Sequence, residues 1–291
     1  MTTPARWSEG ALPRTLPAAV SPFLAGTGVA AYFDHAVWWK ALLALVVALA
    51  LQVGVNYAND YSDGIRGTDE DRVGPLRLVG SGTTPAADVK GAAFAAFGVA
   101  MLAGLVLAAT SSWWLLLVGA AAIVAAWFYT GDSQPYGYHA LGEVMVFVFF
   151  GLVAVRGTTY VQTGTLPAPG WFAAVGVGAL ACAILVANNV RDIPTDTTSG
   201  KRTLAVVLGD QQSRYLYALL VWVAVATLVG VAITTSWAAL LGLVFLVPAI
   251  AATRVVLSGT TGRGLVPVLQ RTGVAELLYA AGVFVGLLVA S

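Results

Sequence analysis

Seven side chains in two short stretches carry most of the chemistry this sequence offers. In "NYANDYSD", Asn56, Asn59, Asp60 and Asp63 recur at i, i+3, i+4 and i+7, so on a helix all four project from one face. In "NNVRDIPTDTTSGKRT", Asn188, Asp192 and Asp196 are spaced by four. Pro194 interrupts that run and predicts that Asp196 comes from a turn rather than the same continuous face. Carboxylates and amide carbonyls are hard oxygen donors, suited to Mg2+, which takes one or two carboxylates and completes its octahedron with water and phosphate oxygens. Lys201 and Arg202, which follow Gly200, and Arg66, Arg72 and Arg77 beyond the first stretch are matched to phosphate. Acid, metal, diphosphate and base then form a neutralising sandwich. One such cluster alone reads as a solvated loop whose acids and bases pair with each other; two with matched Asn–Asp spacing outweigh that reading.

The elements that must position these residues are membrane helices. Of 291 residues, 58% are hydrophobic and 10% charged, against about a quarter charged in a soluble domain. Apolar runs long enough to cross a ~30 Å hydrocarbon core recur along the chain. They cover Leu16–Phe33, Val37–Ala58, Val89–Ala109, Trp113–Thr130, Leu141–Val161, Trp171–Val190, Tyr215–Ile233, Trp237–Val256 and Gly273–Ala290. The expected fold is all-α: one polytopic domain over 1–291, nine transmembrane helices bundled around a central cavity, with Pro17, Pro22 and Pro248 bending the first and eighth spans. No clean signal-peptide pattern precedes the first span. Cys182 is the single cysteine, which leaves no material for a disulfide or thiolate cluster. A net charge of +1 does not point to nucleic acid; membrane lipid is the solvent.

Lysines and arginines give the orientation. With the N-terminus cytoplasmic, thirteen of the fifteen fall inside, and only Lys40 and Arg156 fall outside or deep in a span. The C-terminus is then outside, and both acidic clusters sit at the inner face of what reads as a bacterial plasma (inner) membrane. Asp60 and Asp192 are 132 residues apart (192 − 60), nearly half the chain. This spacing gives the expectation of two pseudo-repeat halves, roughly 1–135 and 136–291, that build one site between them.

"NDYSD" (59–63) and "RDIPTD" (191–196) resemble the two aspartate-rich motifs of the UbiA superfamily of intramembrane prenyltransferases. Within it, "DRVGPLRLVGSG" (71–82), "SGKRTLAVVLGD" (199–210) and "YTGDSQPYGYHALGE" (129–143) look like the 1,4-dihydroxy-2-naphthoate branch of menaquinone synthesis. Many other branches carry a third aspartate where Gly67 stands; here the acid comes at Asp69, as in the naphthoate branch. The resemblance implies transfer of a polyprenyl group from polyprenyl diphosphate to 1,4-dihydroxy-2-naphthoate, with loss of diphosphate and carbon dioxide, giving demethylmenaquinone. Asp60, Asp63, Asp192 and Asp196 would be catalytic and, with Asn56, Asn59 and Asn188, would hold Mg2+. Arg66, Arg72, Lys201 and Arg202 would bind the diphosphate, and the ionised allylic cation would be attacked by the activated ring without a protein nucleophile.

The cation needs dry, aromatic walls; candidates are Tyr57, Tyr61, Trp127, Phe128, Tyr129, Phe147, Phe149, Phe150 and Tyr160. For the acceptor the candidate residues are Arg77, Tyr129, Glu143 and Tyr160. Glu143 reads equally as an interface-level pairing carboxylate, Arg156 as an outward-snorkelling cation, His139 as a loop residue and Glu276 as a headgroup-level acid. Three rivals stand beside this reading. A secondary transporter would place its charges near the midplane rather than at the helix ends. A CDP-lipid phosphatidyltransferase is only half matched by "DGIR" (63–66). Another branch of the same superfamily would use hydroxybenzoate or a chlorin as acceptor.

Overall fold

The computed structural model of the protein describes residues 3–67, 76–132 and 134–291, and among them there is no strand. A short α1 (Pro4–Gly10) is followed by α2 (Pro17–Tyr32), α3 (Trp38–Arg66), α4 (Ala86–Thr110) and α5 (Leu115–Phe128). The next rod is composite: α6 (Gly142–Val146), a π-helical stretch (Phe147–Val153) and α7 (Ala154–Thr163). Then come α8 (Ala168–Thr198), the short α9 (Leu204–Leu208), α10 (Asp210–Thr234), a 3-10 stretch (Trp237–Phe245) running into α11 (Leu246–Leu257), and α12 (Val266–Val289). Among the described residues this makes nine rods, seven of them long and apolar enough to cross a membrane. The other two, α2 and α5, have 16 and 14 residues. The chain is a multi-pass membrane protein.

Proline and glycine set many of the ends. Pro17 opens α2, Pro85 and Pro167 precede α4 and α8, and Pro267 stands in the first turn of α12. Gly67 closes α3 and Gly164 closes α7, at φ of 73° and 69°, the left-handed conformation that favours glycine at such a cap. Pro248 sits in the first turns of α11, just after the 3-10 stretch, so the irregularity expected there lies before the proline. Pro194 departs from expectation. It does not end α8, which runs unbroken through it to Thr198. Thr195, Thr197 and Thr198 donate from their hydroxyls to the carbonyls of Asp192, Ile193 and Pro194 at 3.0, 2.7 and 3.3 Å, holding the last turns together. Asp196 is therefore on the same continuous helix as Asn188 and Asp192.

Helix α8 is the keel. One side buries Ala173, Val177, Leu180 and Ala183 against residues of α10, α12 and α2, including Tyr217, Leu228, Tyr279 and Val29. Lipid offers no hydrophobic drive to bring helices together, so close contact depends on small residues. A Cβ on Gly282 would collide with the Gly242 Cα, and one on Gly286 with the Ala238 carbonyl. Likewise a Cβ on Gly151 would be 2.7 Å from the Gly178 Cα, so the π-helical stretch is pressed directly on α8. Its wide turn is the kind of helix defect that often lies at functional sites. Here it puts Phe149, Phe150 and Val153 on the wall of an apolar cavity of about 350 Å³ enclosed by α2, α3, α4, α5 and α7.

Gly282→Ala sets a methyl against the Gly242 backbone and is expected to lower stability by about 1–3 kcal/mol. Gly98→Ala, with nothing within 4 Å of its Cβ, is expected to be neutral or stabilising by up to ~1 kcal/mol. Thermal unfolding of the two variants in one detergent checks the contrast.

Candidate active site

A second, polar cavity of about 470 Å³ lies where α3 and α8 end. Asn59 and Asp63 line it from α3, Asn188, Asn189, Asp192 and Asp196 from α8, and Lys201 and Thr203 from the turn that follows. Arg77 lines it from the segment after α3, and Tyr129, Thr130 and Tyr138 from the turn between α5 and α6. Two acidic clusters far apart in sequence thus face one hollow.

Each acid is held by specific donors. Asp63, 4% exposed, accepts from the Tyr138 hydroxyl at 2.8 Å and lies 3.7 Å from the Lys201 ammonium. The same ammonium sits 4.6 Å from the centre of the Tyr138 ring. Burial first, then the Asp63 charge, pushes the Tyr138 phenol above its ordinary value, so it remains a neutral donor through physiological pH. On α8, Arg191 grips both oxygens of Asp192 at 2.6 Å and also donates to the Asn188 carbonyl at 2.9 Å. Asp196 accepts from Thr203 at 3.4 Å through its carboxylate, and its backbone carbonyl accepts from the Lys201 N–H at 2.8 Å. The backbone N–H of Arg202 donates to the Tyr138 carbonyl at 3.0 Å, stitching the turn after α8 to the turn before α6.

Several sequence expectations need correction. Asp60 is fully buried and does not line the cavity; its carboxylate accepts the backbone N–H groups of Leu78 and Val79 at 2.7 and 3.0 Å. It clamps the segment that carries Arg77. Asn56 is likewise engaged elsewhere: its amide donates to the Ala11 carbonyl and the Thr15 hydroxyl, and accepts from Gln52. Arg66 is exposed and donates to the carbonyls of Thr130 and Asp132 rather than facing the cavity. The Arg202 side chain is exposed and lines neither cavity. Arg72 and Asp69 lie outside the described residues.

Among the acceptor candidates, Arg77 lines the polar cavity, and Tyr129 lines both. Tyr160 lies 18 residues beyond Gly142, roughly 27 Å along its rod, where its hydroxyl accepts from the Trp114 indole at 3.3 Å. It belongs to the opposite end of the bundle. Glu143 is buried but does not reach the cavity; Asn189 stands in front of it. Arg156 reaches to the connection between α7 and α8, donating to the Leu166 and Pro167 carbonyls and stacking 3.9 Å from the centre of the Trp171 ring. Glu276 is fully buried inside the bundle, not at headgroup level. Of the aromatic candidates, Tyr129, Phe149 and Phe150 line a cavity. Tyr138, Asn189 and Thr203 are cavity residues that the sequence reading missed. Tyr138 lies inside "YGYHALGE" and Asn189 is the second Asn of "NNVRD", so both sat beside residues that were weighed.

The two cavities meet. Ala18, Gln52, Asn59, Tyr129, Val146 and Phe150 line both. A ligand with a highly charged head and a long apolar tail fits that pairing, the head among acids and cations, the tail among Ala, Val, Leu and Phe.

Comparison with known proteins agrees with this geometry. Residues 19–264 match the UbiA prenyltransferase family. A Mycobacterium tuberculosis protein named 1,4-dihydroxy-2-naphthoate octaprenyltransferase is 54% identical over 283 residues, 97% of each chain. In three dimensions a UbiA homolog from Archaeoglobus fulgidus, solved bound to GPP and Mg2+, superposes with a TM-score of 0.69 at 15% identity, over 97% of this chain and 99% of that one. The apo structure of a UbiA homolog from Aeropyrum pernix gives 0.74 at 14% identity, over 92% and 97%. These two share the fold.

The clamp at Asp60 makes a prediction of its own. Asp60→Asn keeps one acceptor oxygen for the two N–H groups, and is expected to cost about 1–3 kcal/mol and loosen the segment around Leu78. Faster limited proteolysis there, relative to the unmodified chain, is the measurement.

Proposed function

The chain belongs to the UbiA prenyltransferase family, and from that premise we propose that its site transfers a polyprenyl group from polyprenyl diphosphate to 1,4-dihydroxy-2-naphthoate. Diphosphate and carbon dioxide leave and the reduced ring, demethylmenaquinol, forms. The observation that carries this reading is the junction of a polar, acid- and base-lined cavity with an apolar one. A hydroxybenzoate or chlorin acceptor is not favoured, because relatives over half identical across nearly the whole chain are named for the naphthoate.

The donor set suits Mg2+. Asp63, Asp192 and Asp196, with Asn59 and Asn188, line the cavity from two walls and would supply its oxygen ligands. No group of three or more His, Cys, Asp or Glu converges on one point among the described residues. When bound, Mg2+ supplies positive charge against the departing diphosphate.

The chain's own residues do the rest. Lys201, anchored over Tyr138, and Arg77, held out by the Asp60 clamp, meet the phosphate oxygens where charge grows as the allylic C–O bond breaks. Tyr129 and Phe150 wall the cavity junction, with Phe149 beside them in the apolar cavity. Their faces stabilise the allylic cation by ~0.5–2 kcal/mol each and keep water from it. The diol ring then attacks through carbon, its own hydroxyls supplying the electron density. The tail lies in the apolar cavity. The bundle sits in a bacterial inner membrane with its N-terminus cytoplasmic, as the bias of Lys and Arg supports.

Purified protein in detergent is expected to convert polyprenyl diphosphate and 1,4-dihydroxy-2-naphthoate in the presence of Mg2+ and to stop on chelation. Asp192→Asn, which leaves Arg191 an acceptor, should lower kcat by about 10²-fold or more. Its unfolding midpoint should shift less than that of Asp192→Ala, where the buried guanidinium is left without its carboxylate. Faster turnover of hydroxybenzoate, or activity indifferent to chelator, would count against the reading. Orientation has a separate check. The native Cys182 is buried, so an impermeant maleimide added to intact cells is expected to label Ser291→Cys and leave Thr3→Cys untouched.

A further inference from the structure

Below the acids the polar cavity extends into a recess between α8 and the composite rod. Ala181, Ile184, Leu185 and Asn189 line it on one side, Val146 and Phe150 on the other. Asn189 lies seven residues before Asp196, so it points within about 20° of the same direction and sits about 10.5 Å deeper along the helix. Asn189 shares this largely apolar recess with the Tyr129 hydroxyl, which lies beside Gly142 and Leu185.

Its amide has a fixed polarity. Asn189 Nδ2 donates to Glu143 Oε1 at 2.9 Å, with both residues 7% exposed. In this bond the amide turns its NH2 to Glu143 and its carbonyl away, toward the cavity. Among the described residues nothing donates to that carbonyl, and it is not one of the atoms sealed from the cavity. Glu143 is itself held in place at the start of α6, where its backbone carbonyl accepts from the Cys182 thiol at 3.1 Å.

A carbonyl acceptor in a largely apolar recess selects its partner by chemistry. Diphosphate oxygens are acceptors and are repelled. A prenyl tail has no donor. A ring hydroxyl is a donor, is planar with an apolar body, and leaves no group unpaired. We propose that Asn189 binds the prenyl acceptor, taking a hydrogen bond from a ring hydroxyl, and that Glu143 is the positioning residue that fixes the amide's polarity. The inference rests on the function proposed above for the identity of the substrate, but its geometry requires only a hydroxyl-bearing aromatic.

The test separates the two substrates and reverses the polarity of the pair. Asn189→Leu is expected to raise the KM for 1,4-dihydroxy-2-naphthoate about tenfold, the worth of one hydrogen bond, with the KM for polyprenyl diphosphate within about twofold of the unmodified protein. Asn189→Asp alone sets two carboxylates face to face and is expected to weaken acceptor binding at least as much. The double variant Glu143→Gln with Asn189→Asp lets Gln donate and Asp still present an oxygen to the recess, so most of the loss should return. Calorimetric titration of the resting protein with the naphthoate reads the same shifts without turnover. Equal changes in both KM values, or a double variant no better than Asn189→Asp, overturn the inference; so does a chain that binds no hydroxyaromatic. If the unmodified protein binds the naphthoate but transfers no prenyl group, and the variants behave as stated, the functional reading fails and this one stands.

Discussion

Acids at the end of an apolar bundle must be neutralised by neighbours rather than by bulk water, since each ionised group placed in a membrane segment costs about 2.5–3.5 kcal/mol or more. The protein meets that constraint with a different device for each carboxylate. Asp192 is gripped by the adjacent Arg191, Asp63 by a neutral phenol and an ammonium, and Asp60 by two backbone amides. Only the second arrangement reaches across the chain. Tyr138 precedes α6, Lys201 follows α8 and Asp63 ends α3, so the group that neutralises one acid also draws three separate segments onto one cavity.

The division of labour along α8 makes this possible. Ala183, Val186, Ala187 and Val190 on one side belong to the core shared with α10 and α12, while Ile184, Leu185, Asn188 and Asp192 line the cavity. A helix fixed on one face by close packing can hold polar groups on the other with little freedom to collapse. Across from it, the π-helical stretch is pressed on α8 where Gly151 meets Gly178, and it carries Phe149 to the wall of the apolar cavity and Phe150 to the junction of the two. Rigid packing and open space are therefore made by the same contact.

Much of this was legible in the residues alone, for local reasons. Nine apolar runs follow from length and hydropathy, and the one-sided spacing of Asn59 with Asp63, or Asn188 with Asp192, follows from a period of 3.6. What stayed hidden depends on partners distant in the chain. Pro194 looked like a stop because a local rule says so, yet threonine hydroxyls after it and a buried helix override that rule. Tyr160 looked like a cavity aromatic, but its distance along the rod puts it at the far end with Trp114. Arg66 and Arg202 carry the right charge in the right stretch, and are spent on backbone carbonyls or left exposed.

The sharpest case is the pair Asp60 and Asp63, three residues apart on one face of one helix and yet opposite in role. Spacing cannot separate them, because the face they share spans enough arc for its two flanks to meet different neighbours. Asp60 meets bare N–H groups of an irregular segment, which require an acceptor once buried. Asp63 meets a hydroxyl and an ammonium at the rim of a hollow. The same Asp60 bonds that remove it from the cavity fix the backbone immediately after Arg77, and so place that residue in the wall. An acidic motif of this kind can serve its substrate through one carboxylate directly and through the other by holding the chain that carries a cation.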